Sequence, residues 1–466
     1  MNVFNFSLVK LINVSSKFLL GCTALVFLVF YFILSYYNRL ASDDIVFKAL
    51  IKDKSVFEGL SKIYTIWSGR WASWGYLFTL LSSSSKFQNL HYFIFIYHCI
   101  TLLILIYSVN TIIRIAINKL FNVIIDAVTQ LIYTILFIAG FYYATFHHME
   151  VWWWVSASVY YLQGIVFLLL GIALLLKEKK NIFHYVLIGA SFLYVGASFE
   201  LYACIVVCLF ISIYFYLIYK KTLITFKKSH YFNALVIAFI CFTVSAIACF
   251  IAPGNFERRA LFENAIVNYP ALNSSTFFQT KYIVFVAFSM VFVLLGKEIK
   301  NRNPTVVLNV KTVLLIAIFP LLISIGIGYL FQFFILYGNP IPLRGWTFTS
   351  LSLCFFISVF FMVIGHCVNF SKIIVQLFLK SCLPIFICTS QIYTACKQYN
   401  YVSKYSKAYD KQIEDLLAAK TNKANFFYST PLPNSGMLIY LYMDGYTALP
   451  LKEILNLNFE ILEKNK

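Results

Sequence analysis

The chain has 466 residues, 61% of them hydrophobic and 12% charged, with a mean hydropathy of +0.80. No soluble core hides that much apolar side chain, so the composition defines a polytopic membrane protein. The net charge of +19 would point to nucleic acid in a soluble protein. Here most lysines and arginines flank apolar runs, a topology signal, and no nucleic-acid partner is expected.

In chain order, runs near 18–37, 91–113, 123–143, 155–176, 183–197, 201–219, 232–251, 278–295, 313–336, 348–368 and 373–394 approach the roughly 17–25 apolar residues a helix needs to cross a bilayer. The expected fold is an all-α polytopic membrane domain over residues 1–395 with about eleven transmembrane helices. Asp126 falls inside the third run and Lys380 near the middle of the last. The first run follows Lys10 and Lys17, exceeds a signal-peptide core and lacks a small-x-small cleavage site, so it is expected to remain as an anchor. The eleven cysteines lie mostly within apolar runs without metal-ligand spacing and read as small buried hydrophobes.

Alternate loops carry Arg114 and Lys119, then Lys177, Lys179 and Lys180, then Lys220, Lys221, Lys227 and Lys228, then Lys297, Lys300, Arg302 and Lys311. With Lys10 and Lys17 they mark one side as cytoplasmic and put the N-terminus there. The opposite loops hold the polar clusters. The first of these, residues 38–90, is long, and Val56, Leu60, Ile63 and Trp67 recur in it at helical spacing, which predicts an amphipathic helix along the membrane surface. Residues 396–466 form a polar tail on the same side, lysine-rich to about 425 and strand-like at 426–430 and 437–442, read as a small appended domain.

Asp43 and Asp44 follow the first span directly. They are either a solvated helix end or, at the bilayer boundary where desolvation raises a carboxyl pKa, a general base. Arg70 stands in Trp67-Ser68-Gly69-Arg70-Trp71: an interfacial aromatic belt, or a planar fork of donors for phosphate. His147, His148 and Glu150 precede Trp152, Trp153 and Trp154, whose rings suit either an interface belt or a sugar face. Glu200 sits between two apolar spans with no charged neighbour, a placement that costs about 2.5 kcal/mol or more near lipid and so points to function. Pro253-Gly254-Asn255-Phe256-Glu257-Arg258-Arg259 begins at a helix end, where a turn with free N–H groups and an arginine can meet an anion. Arg344 follows Pro340 and Pro342 in a similar setting. No phosphate-binding Gly-rich loop, HExxH or Gly-x-Ser-x-Gly element is present.

Three of these stretches together, Asp43-Asp44, Trp67-Ser68-Gly69-Arg70 and Pro253-Gly254-Asn255-Phe256-Glu257-Arg258, resemble the GT-C superfamily of polytopic membrane glycosyltransferases. The likeness is to a bacterial branch with an acid pair, a Trp-x-Gly-Arg element and a Pro-Gly-Asn-x-x-Arg element in that order. The resemblance implies transfer of a sugar from a polyprenyl-phosphate donor to a lipid, glycan or protein acceptor on the outer face of a bacterial cytoplasmic membrane. On it Asp43 is the base, and Asp44 orients the acceptor or helps hold a divalent cation, Mg or Mn, with the doublet leaving their order open. Arg70, Arg258 and Arg344 bind the donor phosphate. Trp67, His147, His148, Glu150, Trp152, Glu200 and Asn255 are candidates for sugar or acceptor contacts. Many relatives end in a large soluble domain, which the short tail here lacks. Two other classes compete: an O-antigen polymerase or ligase, which relies on loop arginines, and a transporter or flippase of a lipid-linked sugar, for which Asp126 and Lys380 would be intramembrane groups.

Overall fold

The computed structural model describes residues 2–84, 86–219, 230–263, 280–305, 308–336, 339–368, 373–430, 432–433 and 445–463. The loop lysines at 220–228 and the expected strand at 437–442 lie outside them. The described chain is almost wholly helical: α1 (Asn2–Tyr37), α2 (Asp43–Leu50), α3 (Val56–Ile66), α4 (Trp71–Ser82), α5 (Leu90–Phe121), α6 (Ala127–Ala144), α7 (His148–Trp153), α8 (Val155–Leu176), α9 (Ile182–Gly196), α10 (Glu200–Tyr219), α11 (His230–Phe250), α12 (Pro253–Glu263), α13 (Lys281–Arg302), α14 (Val310–Phe334), α15 (Thr347–Cys367), α16 (Ile374–Thr421) and α17 (Gly445–Leu455).

Among the described residues ten helices are long and apolar enough to cross a membrane, and Ile182–Gly196 is a shorter apolar helix. Side-chain pairs fix which ends lie together. Helices α1 and α16 run side by side in the same direction: Thr23 Oγ1 donates to the Pro384 carbonyl across 3.4 Å, the Tyr37 and Tyr399 rings meet at 5.6 Å, and Arg39 pairs with Asp410 at 2.7 Å. The end of the bundle that holds Arg39 is called the upper end below. At the lower end Lys17 pairs with Asp126 (3.7 Å) and Glu298 (3.5 Å), Arg302 with Asp126 (3.2 Å), and Lys119 with Glu178.

The short helix α9 leaves the lower end near Glu178 and delivers the chain to Glu200, which meets Arg70 of the first loop at the upper end. It therefore passes between the same two ends as its neighbours, although its length of about 22 Å falls short of the roughly 30 Å hydrocarbon core. Small residues let it pack closely, since a Cβ on Gly196 would lie 2.6 Å from the Phe242 carbonyl of α11. The eleven expected spans thus correspond to ten full-length helices and this short one.

Two expectations need correction. Asp126 is not inside a span: it is the N-cap of α6, accepting from Thr129 N at 2.9 Å, half exposed and paired with Lys17 and Arg302. The helix expected over Val56–Trp67 is α3, one of three in the first loop, and it starts with a capping box in which Ser55 Oγ accepts from Glu58 N (3.2 Å) and Glu58 Oε2 from Ser55 N (2.7 Å). Residue 395 is no boundary either. Helix α16 runs unbroken through it and carries on for about 40 Å, because 395–421 keeps a buried stripe of Gln398, Val402, Tyr405, Tyr409, Ile413 and Leu416. The rest of the described tail adds α17 and a two-stranded parallel sheet, in which Phe426–Ser429 pairs with Glu460–Glu463. Lys52 just after α2 donates to Asn456 just after α17, so the tail rests on the first loop at the upper end.

Candidate functional site

The upper end is assembled by two loops that lock together through backbone. Gly69 N donates to Asn255 Oδ1 (3.0 Å), while Asn255 Nδ2 donates to the Cys249 carbonyl (2.6 Å). Only glycine fits at either face of this contact: a Cβ on Gly69 would stand 1.9 Å from the Cys249 carbonyl oxygen, and one on Gly254 would stand 2.4 Å from Trp67 N. The Trp-x-Gly-Arg and Pro-Gly-Asn elements are thus two halves of one joint. Arg70 leaves it from one side, and Arg258, three residues after Asn255 on α12, from the other.

Both arginines reach Glu200, the first residue of α10. Arg70 Nε donates to Glu200 Oε2 and Arg258 Nη2 to Glu200 Oε1, each across 2.8 Å. The glutamate is 5% exposed, so its charge is held by two guanidiniums and by the partial positive charge of the helix start. The guanidinium of Arg70 also lies 4.7 Å from the centre of the Phe199 ring and 5.8 Å from that of Tyr160. Burial opposes the Arg70 cation, but the Glu200 carboxylate outweighs it and holds the guanidinium above its ordinary pKa.

A second cluster stands beside the first. Arg344 Nη1 donates to Glu150 Oε2 (2.8 Å), His147 Nδ1 lies 3.5 Å from the same oxygen, and the Arg344 guanidinium sits 5.2 Å from the Trp154 ring centre. Tyr161 stands by both clusters: its ring lies 5.0 Å from that of Phe199, which the Arg70 guanidinium also meets, and it is within electrostatic reach of Arg344 and Arg70. Tyr160 and Tyr161 lie in a π-turn, Ser158–Leu162, at the start of α8. The extra residue of such a turn re-aims neighbouring side chains, a device common at functional sites.

Asp43 and Asp44 approach the clusters from α2 and have different surroundings. Asp43 is half-buried. Asp44 is fully buried: Oδ2 accepts from Ala41 N (3.0 Å), and Oδ1 accepts from Ser156 N (2.9 Å) and bonds to Ser156 Oγ. Burial pushes its carboxyl up to about 7 despite these hydrogen bonds, which pull the other way. Between Ala41 and Asp43, Ser42 adopts φ 37°, ψ −109°, a conformation that costs a non-glycine residue about 1–3 kcal/mol and is held by the Asp44 bonds. Tyr160 feels the charges of Asp43, Asp44 and Arg70 together, so the acid pair and the arginines share one neighbourhood.

Other expected contacts fall elsewhere. Trp152 is fully buried with Nε1 donating to Thr145 Oγ1 (3.2 Å), so its ring has no open face for a sugar. Trp67 caps α3 and is 44% exposed. The Asn255 amide is spent on backbone. His148 packs at 5.0 Å on the Tyr142 ring, and burial, aided by Lys281, keeps both its imidazole and that of His147 below their ordinary pKa, hence neutral at pH 7. Both Asp44 oxygens accept from N–H and O–H groups, and among the described residues no three His, Cys, Asp or Glu side chains gather into an all-protein metal cage. Tyr161, Ser156 and Phe199 were missed because apolar runs hide them and a π-turn leaves no mark in residue spacing.

The described helices and their ends define a multi-pass α-helical membrane protein with a buried arginine and glutamate site at its upper end. Comparison of the chain with protein-family models, with curated proteins and with solved structures finds no match.

Proposed function

We propose that this protein is a membrane glycosyltransferase of the GT-C kind, which moves a sugar from a polyprenyl-phosphate donor to a lipid, glycan or protein acceptor on the extracytoplasmic face of a bacterial cytoplasmic membrane. The observation that supports this reading best is the gathering of Arg70, Arg258 and Arg344, from three separate loops, beside Tyr161 and near the acid pair.

Each arginine has a glutamate partner, so the five side chains Arg70, Arg258, Arg344, Glu200 and Glu150 carry a surplus of one positive charge. A guanidinium has five N–H donors, and the bonds to Glu200 and Glu150 leave several on each arginine for phosphate oxygens. Fixed in place before the reaction, they stabilise the charge that develops on the leaving phosphate. Asp43 takes the acceptor hydroxyl proton as the acceptor oxygen bonds to the sugar anomeric carbon. The bond from that carbon to the phosphate oxygen breaks, its electron pair stays on the phosphate, and the configuration inverts. Asp44 is a positioning residue that ties the Ala41–Asp43 turn to Ser156. The transporter alternative loses one of its two intramembrane groups, since Asp126 lies at a helix cap.

The test is transfer by the full chain in lipid nanodiscs, supplied with a panel of radiolabelled polyprenyl-phosphate sugars and membrane lipids, with and without chelator. Transfer is expected for one donor, with a loss of about 100-fold or more in Asp43→Asn, the usual scale for removing a general base. Full transfer by Asp43→Asn rejects that residue as the base, and absence of transfer or hydrolysis with every donor rejects the transferase reading.

A further inference from the structure

A cleft of about 330 Å³, at the lower bound of small-molecule sites, opens at the upper end between the chain after α1, the start of α5 and the extension of α16. It is separate from the arginine site, and none of Asp43, Arg70, Glu200, Arg258 and Arg344 lines it. Its wall carries Gln88 and His91 from one side and Tyr409, Asp410 and Glu414 from the other, with Tyr92 at the rim. Asp410 and Glu414 are four residues apart on α16 and so project from one face.

Two features narrow what this cleft takes. Arg39, also in the wall, is 6% exposed and already committed: Nε and Nη2 bond to the two Asp410 oxygens at 2.7 Å each, and Nη1 to the Tyr36 and Asn38 carbonyls at 3.0 and 2.9 Å. That arginine is no phosphate clamp, and Glu414 leaves the wall with a negative surplus that repels anions. Tyr409, on a side chain only 5% exposed, also lines the cleft, but its hydroxyl is itself buried and offers no surface to a ligand.

We infer that this cleft binds an uncharged or amine-bearing carbohydrate free of phosphate, the acceptor glycan on the transferase reading. Amide, imidazole and carboxylate groups pair with ring hydroxyls, and the Tyr92 ring offers an apolar face to a sugar. The placement agrees: Leu40 lines the cleft, and Asp43 and Asp44, which open α2, lie three and four residues on. The turn bearing Asp43 therefore starts at the wall of the cleft.

The inference rests on the transferase reading for the word acceptor, not for the binding itself. Phosphate-free di- to tetrasaccharides of bacterial surface glycans are titrated by calorimetry into the full chain in nanodiscs, and polyprenyl phosphate alone is titrated in parallel. At least one saccharide is expected to bind, with affinity falling tenfold or more in Gln88→Ala and in Glu414→Gln. Neither change enlarges or crowds the fold, and polyprenyl phosphate binding should stay within twofold. Saccharide binding without any donor hydrolysis or transfer would sink the transferase reading and leave the cleft as a carbohydrate site. No binding by any saccharide, or binding that both variants retain in full, would overturn the inference.

Discussion

Asn255 accepts a hydrogen bond from Gly69 N across 3.0 Å, and with the other end of the same amide it donates to the Cys249 carbonyl. One side chain thus joins the first loop to the loop after α11 and sets the separation at which Arg70 and Arg258 meet Glu200.

That joint is sensitive to single atoms. Gly254→Ala places a methyl 2.4 Å from Trp67 N, against backbone that cannot rotate away, and is expected to cost about 1–3 kcal/mol. Gly326→Ala on α14 is the control, because nothing lies within 4 Å of its would-be Cβ. It should remain within about 1 kcal/mol of the parent. Unfolding midpoints in one detergent compare the two directly, and equal midpoints would show that the loops do not interlock.

Glu200→Gln removes the charge between two buried guanidiniums. Breaking a buried ion pair from one side typically costs about 3–5 kcal/mol, since an uncompensated charge stays behind. Replacing the whole set with apolar residues (Arg70→Met, Glu200→Leu and Arg258→Met together) should recover most of that loss while abolishing transfer. Reversible unfolding in mixed micelles, read for the single and triple variants, decides it. A triple variant less stable than Glu200→Gln would mean that the cluster carries net stability of its own.

Asp44 predicts a pH dependence with a definite sign. Its folded pKa, about 7, exceeds the ordinary 3.8, so between those values the folded protein binds the extra proton. Stability therefore falls as pH rises from about 4 to about 7, by a total on the order of 4 kcal/mol, and is flat above. Asp44→Asn, which cannot ionise, should flatten the curve. Unfolding midpoints from pH 4 to 8 test this, and a wild-type curve that rises over that window contradicts the buried, protonated carboxyl.

Much of the architecture was legible because a bilayer imposes a length on apolar runs and a bias on the loops between them. Even the short α9 was marked by its run of apolar residues, and the clusters expected at one end do lie together there. Partnership was not legible. Glu200 has no charged neighbour in sequence, yet it bonds to residues 130 and 58 positions away, and Glu150 meets Arg344 across 194. Hydropathy likewise put Asp126 within a span, because capping depends on whether a backbone turn starts at the next residue. The tail boundary failed for a related reason: polarity rises after Cys396, but a helix continues wherever one stripe stays apolar.

Arg39 and Asp410 make a two-pronged pair that ties the end of α1 to the extension of α16, with both bonds at 2.7 Å. Asp410 is half exposed while Arg39 is buried, so Asp410→Ala leaves the cation with only the Tyr36 and Asn38 carbonyls. Hydrogen bonds between charged groups contribute about 1.5–3 kcal/mol, and because the extension projects beyond the membrane helices, that loss should appear locally rather than as global unfolding. Amide exchange in 400–421 is expected to speed up about tenfold or more, while the amides of α6 and α8 stay protected. The charge-reversed pair Arg39→Glu with Asp410→Arg should restore part of the protection. Uniform exchange across the whole chain in Asp410→Ala would instead mean that the extension and the bundle unfold as one unit.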